Sequence, residues 1–398
     1  LKKATMIVIS SAVKKNNIEL KVAKSKKLPI FKRGDMLANI VALKKNIIVT
    51  GSHGKTTTTS LVANILLESG LDPTVINGGI INSFKNTAQL GKGDWAVIES
   101  DESDGSFLKL PITYSIITNV DKEHLDYYKS FNNLKKSFIK FLHKTPPIGK
   151  SFICIDDYEL RKLIKKIKKK NILTYGFSKG ANFQILKPIY KKDYSLFNLK
   201  ISVPGLKNKT IKKIKLNLIG KHNILNSAAA IALSLHIGVK IKIIKNSLKK
   251  FSGIQRRLTK VFSIKGREFF DDYAHHPTEI KSVLKSLKAT SLDRKLVSVF
   301  QPHRYSRLKS LKKDFISAFK DSDLVVLCPV YSAGEKTDRK YNAIEFAKSI
   351  SKSSNVQVII VKNENELKKF FNKNLIENEI VVCMGAGSIS KWIREMNL

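Results

Sequence analysis

The chain has 398 residues, and 42% of them are hydrophobic, including 20 Phe and 11 Tyr. A chain of this length and composition can build large hydrophobic cores and is typical of two or three folded domains, which excludes an intrinsically disordered protein. The longest nearly apolar stretch, residues 227–239, is shorter than the roughly 20 residues that a membrane-spanning helix needs. We therefore expect no membrane span.

The balance of charge is strongly basic, with 73 Lys and Arg against 32 Asp and Glu, a formal net charge of +41. Charge of this size is typical of nucleic-acid binding when it is clustered on one surface. Here only ten of the basic residues are Arg, and the lysines are spread over nearly every segment. Since Arg is the residue best suited to bidentate phosphate contacts, we expect no nucleic-acid partner. A nucleic-acid-binding module stays open as an alternative, and it predicts tight, steeply salt-dependent DNA binding.

The cysteine content predicts the compartment. Cys154, Cys328 and Cys383 are odd in number and far apart, which does not indicate a disulfide framework. The first residues also lack the long apolar run and the small-residue cleavage site of a secretory signal. These features predict a reducing, cytoplasmic setting.

The first part of the chain, residues 1–46, holds one short apolar run at 6–10. We interpret the Lys-rich sequence after that run as loop-like. Residues 1–46 as a whole are interpreted as the end of a domain. A regular pattern then begins with a strand at 47–50, a Gly-rich turn and a helix at 56–69. Further elements follow in the order strand 95–98, strand 112–118, helix 131–143 and strand 152–155. Strands that alternate with helices indicate a mostly parallel sheet covered by helices.

The pattern changes twice in the second half of the chain. Between residues 175 and 219 the apolar residues alternate with period two, which predicts antiparallel hairpins attached to the first sheet, followed by a helix at 226–236. The likeliest hinge is the stretch 252–255, after which strands are predicted at 268–271, 296–300, 324–328, 356–361 and 380–383. We interpret this part as a second, doubly wound Rossmann-like domain. The predicted divisions of this α/β chain are 1–46, 47–257 and 258–398.

A phosphate-binding loop is predicted between the first strand and helix of the regular part. Its residues are Gly51, Ser52, His53, Gly54, Lys55, Thr56 and Thr57. In this context backbone N–H groups and a helix N-terminus surround phosphate oxygens, Lys55 reaches the β and γ phosphates, and the Thr56 hydroxyl binds Mg²⁺. The usual spacing puts another Gly where this chain has Val49, so the loop is a shortened variant.

An acidic segment, residues 99–104, follows the strand at 95–98 and contains four carboxylates. Open α/β sheets bind ligands at the carboxyl ends of their strands, and carboxylates this close repel one another unless a cation neutralises them. We therefore predict that at least one binds Mg²⁺, with a solvated acidic loop as the alternative. Asp121, Glu123 and His124 follow the next strand and offer further ligands at the same sheet edge.

Seven motifs together resemble the Mur ligases, ATP-dependent enzymes that form amide bonds by adding amino acids to the peptidoglycan precursor. In the family's order they are TGSHGKTTTT (50–59), ESDESDGSF (99–107), TNVDKEHLDYY (118–128), GKHNILNSAAA (220–230), GIQRRL (253–258), DDYAHHPTE (271–279) and FQPHRYSR (300–307). The likeness is greatest to the branch that adds L-alanine to UDP-N-acetylmuramate, and it extends from about Ile7 to Ser390. Since that branch begins with a complete UDP-binding domain, we expect this chain to be truncated at its N-terminus and to bind the UDP-sugar weakly.

The resemblance implies a role for each matching residue. Lys55 would contact the ATP phosphates, Thr56 and Glu99 would coordinate Mg²⁺, and His124 would assist a second metal. Asn223 and Asn226, three apart on one side of a helix, would touch the nucleotide; helix capping by Asn223 is the alternative.

The resemblance also implies roles for residues after the predicted hinge. Arg257 would lie near the transferred phosphate, and Asp272 would hold the nucleotide. Tyr273, His275, Arg304 and Arg307 would form the amino-acid side of the site. On one helical turn, Arg304 and Arg307 could grip a single carboxylate as a fork.

The implied reaction is the joining of L-alanine to the carboxylate of UDP-N-acetylmuramate through an acyl phosphate, with ATP and Mg²⁺ as cofactors. The carboxylate is a poor acyl acceptor until the γ-phosphoryl group is transferred to it, and catalysis of that transfer is mainly placement and electrostatics. Two alternatives stay open: a sister ligase of murein peptide recycling or of the glutamyl type, and an NTPase without ligase activity.

Overall fold

The structure is a computed structural model that describes residues 1, 3–167, 171–204, 208–291 and 294–396. Its strands form three sheets of two, ten and six strands. In this described part of the chain, no helix is both long and apolar enough to cross a membrane.

The N-terminal segment is more regular than its composition predicts. It consists of β1 (Ile7–Ile9), α1 (Ile18–Ser25), β2 (Ile30–Lys32) and α2 (Arg33–Ile40), and β1 pairs in parallel with β2. The interpretation of residues 11–46 as loop-like is therefore wrong. A helix forms at 18–25 because Asn17 is a favourable N-cap. Its side chain accepts hydrogen bonds from the backbone N–H groups of Glu19 and Leu20.

The ten-stranded sheet carries the phosphate-loop motif. Its strands are β3 (Lys45–Thr50), β4 (Thr74–Ile81), β5 (Asn86–Gln89), β6 (Trp95–Glu99), β7 (Tyr114–Ile117), β8 (Lys150–Cys154), β9 (Ile172–Gly176), β10 (Phe183–Tyr190), β11 (Ser195–Ile201) and β12 (Lys209–Leu216). They lie in the order β12-β11-β10-β9-β8-β7-β3-β6-β4-β5. The seven strands from β10 to β4 in this order pair in parallel, and the predicted antiparallel hairpins are β10–β11–β12.

Helices cover this sheet and bury its apolar strands. They are α3 (Lys55–Glu68), α4 (Leu125–Tyr128), α5 (Phe131–Lys144), α6 (Tyr158–Lys165), α7 (Lys221–His236) and α8 (Ile241–Lys250). The predicted apolar face of α3, which includes Leu61 and Ile65, is fully buried, and α3 packs against α7. Because β3 lies between β6 and β7, the segments that follow these three strands meet at one edge of the sheet.

The six-stranded sheet forms the C-terminal part of the chain. Its strands are β13 (Thr259–Ile264), β14 (Arg267–Asp272), β15 (Leu296–Phe300), β16 (Leu324–Leu327), β17 (Gln357–Ile360) and β18 (Ile380–Met384), in the order β13-β14-β18-β15-β16-β17. Only β13 pairs antiparallel among these strands. The accompanying helices are α9 (Pro277–Lys288), α10 (Tyr305–Ser310), α11 (Lys312–Ile316), α12 (Ala343–Ser354), α13 (Glu364–Asn374) and α14 (Ile389–Glu395). The predicted α/β fold class, with hairpins on the first sheet and a second Rossmann-like sheet, is confirmed.

Candidate active site

The phosphate loop connects β3 to α3 and is shaped by two glycines. Gly51 has φ +126° and Gly54 has φ +81°. A Cβ atom on Gly51 would lie 2.3 Å from Thr118 Oγ1, and one on Gly54 would lie 2.6 Å from Asn226 Oδ1, so larger residues do not fit. Asn119 holds the loop, since its side-chain oxygen accepts the His53 N–H at 2.8 Å. The free N–H groups of the first turn of α3 are therefore presented at a fixed loop, which suits an anion.

Lys55 is the buried cation of this loop. Its Nζ lies 3.0 Å from Glu102 Oε2 and 3.5 Å from Asp101 Oδ2, and it donates to the Ser52 carbonyl at 3.2 Å. Burial alone would lower the pKa of Lys55, but the two carboxylates outweigh it and raise that pKa well above its ordinary value. Lys55 is therefore a fixed positive charge at the start of α3.

Glu99, Thr56 and Arg257 converge beside the lysine. The Thr56 hydroxyl donates to Glu99 Oε1 at 3.0 Å and accepts from the Arg257 guanidinium at 3.2 Å. The other oxygen of Glu99 accepts the N–H of Gly78 at 2.6 Å. A carboxylate next to a hydroxyl offers the oxygen ligands that Mg²⁺ prefers, so Thr56 and Glu99 fit the predicted metal.

A second group of possible metal ligands lies on the segments that follow β6 and β7. Single ligand atoms of Glu102, Glu123 and His124 all lie within 4.8 Å of one another. Glu102 Oε1 is buried and has no hydrogen-bond partner, which is the situation a bound cation would relieve. His124 has φ +55° and brings its Nε2 to 3.5 Å from Glu123 Oε2. The donor set fits a divalent cation next to the phosphate loop.

A cavity of about 530 Å³ lies in front of these groups. Residues of all three sheet-bearing parts of the chain line it. The predicted site residues among them are Ser52, Gly54, Lys55, Thr56, Glu99, His124, Arg257, Tyr273, His275 and Arg307. Arg33 and Gly34 at the start of α2 also line it, and the sequence reasoning missed them because it interpreted this segment as a loop.

The two arginines predicted to form a fork differ in their backbone setting. Arg307 lies in α10, with its guanidinium 3.1 Å from His303 Nδ1 and 3.9 Å from Glu123 Oε1. Arg304 precedes that helix with φ +68° and is exposed. The prediction that they share a helical turn is wrong, because α10 begins only at Tyr305.

Tyr273 and His275 follow β14 and border the same cavity. The Arg256 and Arg257 guanidinium groups lie 4.6 and 5.2 Å from the centre of the Tyr273 ring. His275 Nδ1 lies 2.9 Å from the Tyr273 carbonyl oxygen, and burial lowers the pKa of His275. A neutral His275 can therefore donate one hydrogen bond and accept another.

A second cavity, of about 380 Å³, lies behind the phosphate loop. The predicted nucleotide residues that line it are His53, Gly54, Thr57, Asn223, Asn226, Arg257 and Asp272. Tyr175 and Cys154 add an apolar wall that nothing in the motifs indicates. Because Gly54 and Arg257 line both cavities, a ligand with a polar chain could extend from one into the other.

The polar residues of this second cavity have defined partners. Asn226 Nδ2 lies 3.5 Å from Asn223 Oδ1, as expected from their spacing on α7. Asn223 donates to the Ile219 carbonyl at 2.8 Å, while Gly220 is the N-cap, so the capping alternative is wrong. Burial raises the pKa of Asp272 to about 6, against the opposing effect of Arg257.

Comparisons with known proteins agree with this geometry. The family model of the Mur ligase middle domain matches residues 49–234, and that of the Mur ligase, glutamate ligase domain matches residues 256–387. The chain is 54% identical to UDP-N-acetylmuramate–L-alanine ligase of Pelagibacter ubique over 99% of its own length and 85% of the relative's. It is 40% identical to the protein of the same name from Methylobacterium nodulans, over 98% and 83%.

Solved structures give the same result. The crystal structure of the UDP-N-acetylmuramate-alanine ligase from Thermotoga maritima matches with a TM-score of 0.82 at 28% identity, over 98% of this chain and 84% of the other. A murein peptide ligase from Psychrobacter arcticus shares the fold, with a TM-score of 0.69 at 19% identity, over 99% and 87%. With 54% identity to a curated relative across almost its whole length and both domain models matched, the chain belongs to the Mur ligase family.

Proposed function

We propose that this chain joins L-alanine to the carboxylate of UDP-N-acetylmuramate at the expense of ATP, in the synthesis of the peptidoglycan precursor. The observation that carries the proposal is the meeting of Lys55, Glu99 and Arg307 at one cavity, in a chain 54% identical to a curated ligase of that name. The phosphate loop supplies the ATP end of the reaction, and the segment around Arg307 supplies the amino-acid end.

The first chemical step is a phosphoryl transfer. An oxygen of the muramyl carboxylate attacks the γ-phosphorus, the bond from that phosphorus to the bridging oxygen breaks, and ADP leaves. The products are ADP and an acyl phosphate. Lys55 and Arg257 offset the charge that spreads over the transferring group. The place of both residues in the lining of the cavity and the hydrogen bond from Arg257 to Thr56 support this role.

Two groups of residues would hold metal ions in our proposal. Thr56 and Glu99 would hold Mg²⁺, and His124 would hold a second divalent cation together with Glu102 and Glu123. The contacts that support the assignment are the Thr56–Glu99 hydrogen bond and the unpartnered Glu102 oxygen. A divalent cation at these positions supplies Lewis-acid stabilisation of the phosphate oxygens.

The nucleotide occupies the cavity behind the phosphate loop. Its phosphates lie along the loop from Gly51 to Thr57, and Asn223, Asn226 and Asp272 contact the rest of the nucleotide. The volume of about 380 Å³ and the presence of these side chains in its lining support the assignment.

The second step forms the amide bond. The alanine amine attacks the acyl carbon, the bond from that carbon to the phosphate oxygen breaks, and inorganic phosphate leaves as the amine loses its proton. Arg307 binds the alanine carboxylate, and Tyr273 and His275 orient the amino acid. Arg304 contributes to the amino-acid side of the site from outside the cavity. The position of Arg307 at the cavity wall supports its role.

We also propose the divisions of the chain as an N-terminal segment (1–46), an ATP-binding domain (47–257) and a C-terminal domain (258–398). The limits of the ten-stranded and six-stranded sheets support them. A cytoplasmic location is supported by the three cysteines, which are free and buried.

Release of ADP and phosphate, measured with UDP-N-acetylmuramate and one amine at a time, tests this proposal. We expect turnover with L-alanine and little with glutamate, lysine or a murein tripeptide. Turnover with the tripeptide instead would indicate the murein peptide ligase of the alternative interpretation. ATP hydrolysis that needs neither organic substrate would indicate an NTPase.

A further inference from the structure

Helix α9 of the six-stranded sheet touches three separate parts of the ATP-binding sheet. The Thr278 hydroxyl donates to Asp121 Oδ2 at 2.7 Å, after β7. Ser282 Oγ lies 2.9 Å from His222 Nδ1, at the start of α7. The third contact, between Glu279 and His53, reaches the phosphate loop itself. Of the three, only this contact involves a residue of the loop.

The two oxygens of Glu279 face different parts of the site. Oε1 lies 3.3 Å from His53 Nδ1, in the phosphate loop. Oε2 accepts the backbone N–H of His275 at 3.1 Å and of His276 at 3.3 Å. Glu279 also lines both cavities. One carboxylate therefore connects the ATP end of the cleft to the segment that borders its amino-acid end.

The contact with His53 joins opposite charges. His53 Nε2 lies 3.0 Å from Asp121 Oδ2, so both ring nitrogens face a carboxylate and both must carry a proton to donate. A ring that donates from both nitrogens is an imidazolium, and charge-assisted hydrogen bonds of this kind are the strong ones.

Helix capping is the competing explanation for this glutamate. Glu279 occupies the third position of α9, where its side chain accepts the N–H of the N-cap residue His276 in a capping box. Capping uses only Oε2. It does not require an ionised carboxylate, and it does not involve His53.

We propose that Glu279 is a positioning residue for the ligation, which fixes the phosphate loop through His53 against the segment that carries His275. The proposal rests on the function proposed above and extends it to a residue that acts through its contacts with His53 and with the backbone of His275 and His276. Without this contact the transferred phosphoryl group and the alanine amine are held in less favourable positions, while the loop still binds the triphosphate.

A double-mutant cycle with Glu279→Gln and His53→Asn tests the proposal. The glutamine keeps the shape of the side chain and an oxygen that can accept both N–H groups, but it removes the negative charge opposite His53. We expect Glu279→Gln to lower kcat by about 10- to 100-fold, the value of a hydrogen bond between charged groups. Affinity for a non-hydrolysable ATP analogue, measured by calorimetry, should change by less than about threefold. The double variant should be no worse than the worse single variant.

Glu345→Gln is the matched control, because Glu345 occupies the equivalent third position of helix α12 and its side chain is exposed. It should keep the wild-type kcat. Hydrogen exchange of residues 51–54 and 273–276 gives a second measurement that does not depend on ligase turnover. We expect the ATP analogue to protect both segments in the wild type and to protect 273–276 less in Glu279→Gln.

The outcomes separate the two proposals. A wild-type chain without alanine-dependent turnover would contradict the proposed function, while the exchange measurement would still decide the role of Glu279. Three results would each overturn the positioning role. They are wild-type turnover in Glu279→Gln, effects of the two substitutions on kcat that are independent and multiply, and a loss of kcat that is explained by a lower melting temperature.

Discussion

The two walls of the cleft are built in different ways. The wall around Lys55 is built on the segments that follow β3 and β6 of the ten-stranded sheet, and its ion pair with Glu102 is short, at 3.0 Å. The wall around Arg307 comes from the six-stranded sheet, and its ion pair across the cleft, to Glu123, measures 3.9 Å. The Lys55–Glu102 pair of the phosphate wall is therefore formed within one sheet, whereas the ion pair of the amino-acid wall depends on how the two sheets are held together.

Removal of Lys55 should give the largest effect on activity. We expect Lys55→Ala to lower kcat by roughly 10³-fold, because a preorganised cation next to the transferred group is lost. It should also destabilise the fold by about 3 kcal/mol, because Glu102 is left buried without its partner. Steady-state kinetics and chemical denaturation measure the two effects.

A double variant, compared with Glu102→Gln alone because Glu102 is also proposed to hold the second cation, separates these effects of Lys55. In Lys55→Ala/Glu102→Gln no unpaired charge is buried, so we expect stability to recover while activity stays low. Recovery of activity together with stability would mean that Lys55 has a structural role only, and the phosphate wall would lose its proposed function.

Substitution of Arg307 tests the other wall. We expect Arg307→Ala to raise the KM for L-alanine by about 10- to 100-fold, the range for one charged hydrogen bond, with a smaller effect on the KM for ATP. Arg304→Ala should have a clearly smaller effect, because Arg304 is exposed and precedes α10. If the two variants raised the KM for L-alanine equally, the result would support a fork in which both arginines bind one carboxylate.

The stability contributed by His222, where α7 meets α9, should depend on pH. Burial lowers the pKa of His222 from 6.5 to about 4, so the folded chain binds this proton less readily than the unfolded chain. The contribution of His222 to stability is therefore complete above pH 6.5 and is lost as the pH falls toward 4. Between pH 7 and pH 5 we expect the free energy of unfolding to fall by about 1–2 kcal/mol less in His222→Gln than in the wild type. Parallel pH profiles in denaturation experiments would contradict this assignment.

Surface lysines should give the smallest effect. Lys249 and Lys250 are exposed at the end of α8, and neither lines either cavity of the site. We expect Lys249→Gln/Lys250→Gln to change activity by less than about twofold, since solvated charges contribute little. A large loss of activity in the ligase assay would show that the basic surface takes part in the reaction.

The phosphate wall could be predicted from the sequence because its parts are contiguous. Lys55 and Thr56 are the first residues of α3, directly after the phosphate loop, and Glu99 ends a strand that the topology brings beside that loop. Such motifs can be recognised without information about contacts between distant parts of the chain. The predicted sheet edge at which these segments meet follows from the rule that ligands bind at the carboxyl ends of parallel strands.

The contacts between the sheets could not be predicted in the same way. Nothing local distinguishes Glu279 from an ordinary helix-capping residue, and its partner His53 is 226 positions away in the chain. Similarly, β5 is mostly polar and glycines interrupt the apolar residues of β4, so neither strand has a clear pattern, and β4 is placed by its pairing with β6. Arg304 shows the remaining difficulty, since its spacing from Arg307 fits a helix but its backbone does not.

Transfer of oxygen from the substrate tests the acyl phosphate route most directly. UDP-N-acetylmuramate labelled with ¹⁸O in its carboxylate is incubated with ATP, L-alanine and the chain, and the inorganic phosphate is analysed by mass spectrometry. We expect each phosphate formed by ligation to carry one oxygen atom from the carboxylate, because that atom attacks the γ-phosphorus and leaves with it. Unlabelled phosphate formed together with the alanyl product would contradict the acyl phosphate mechanism.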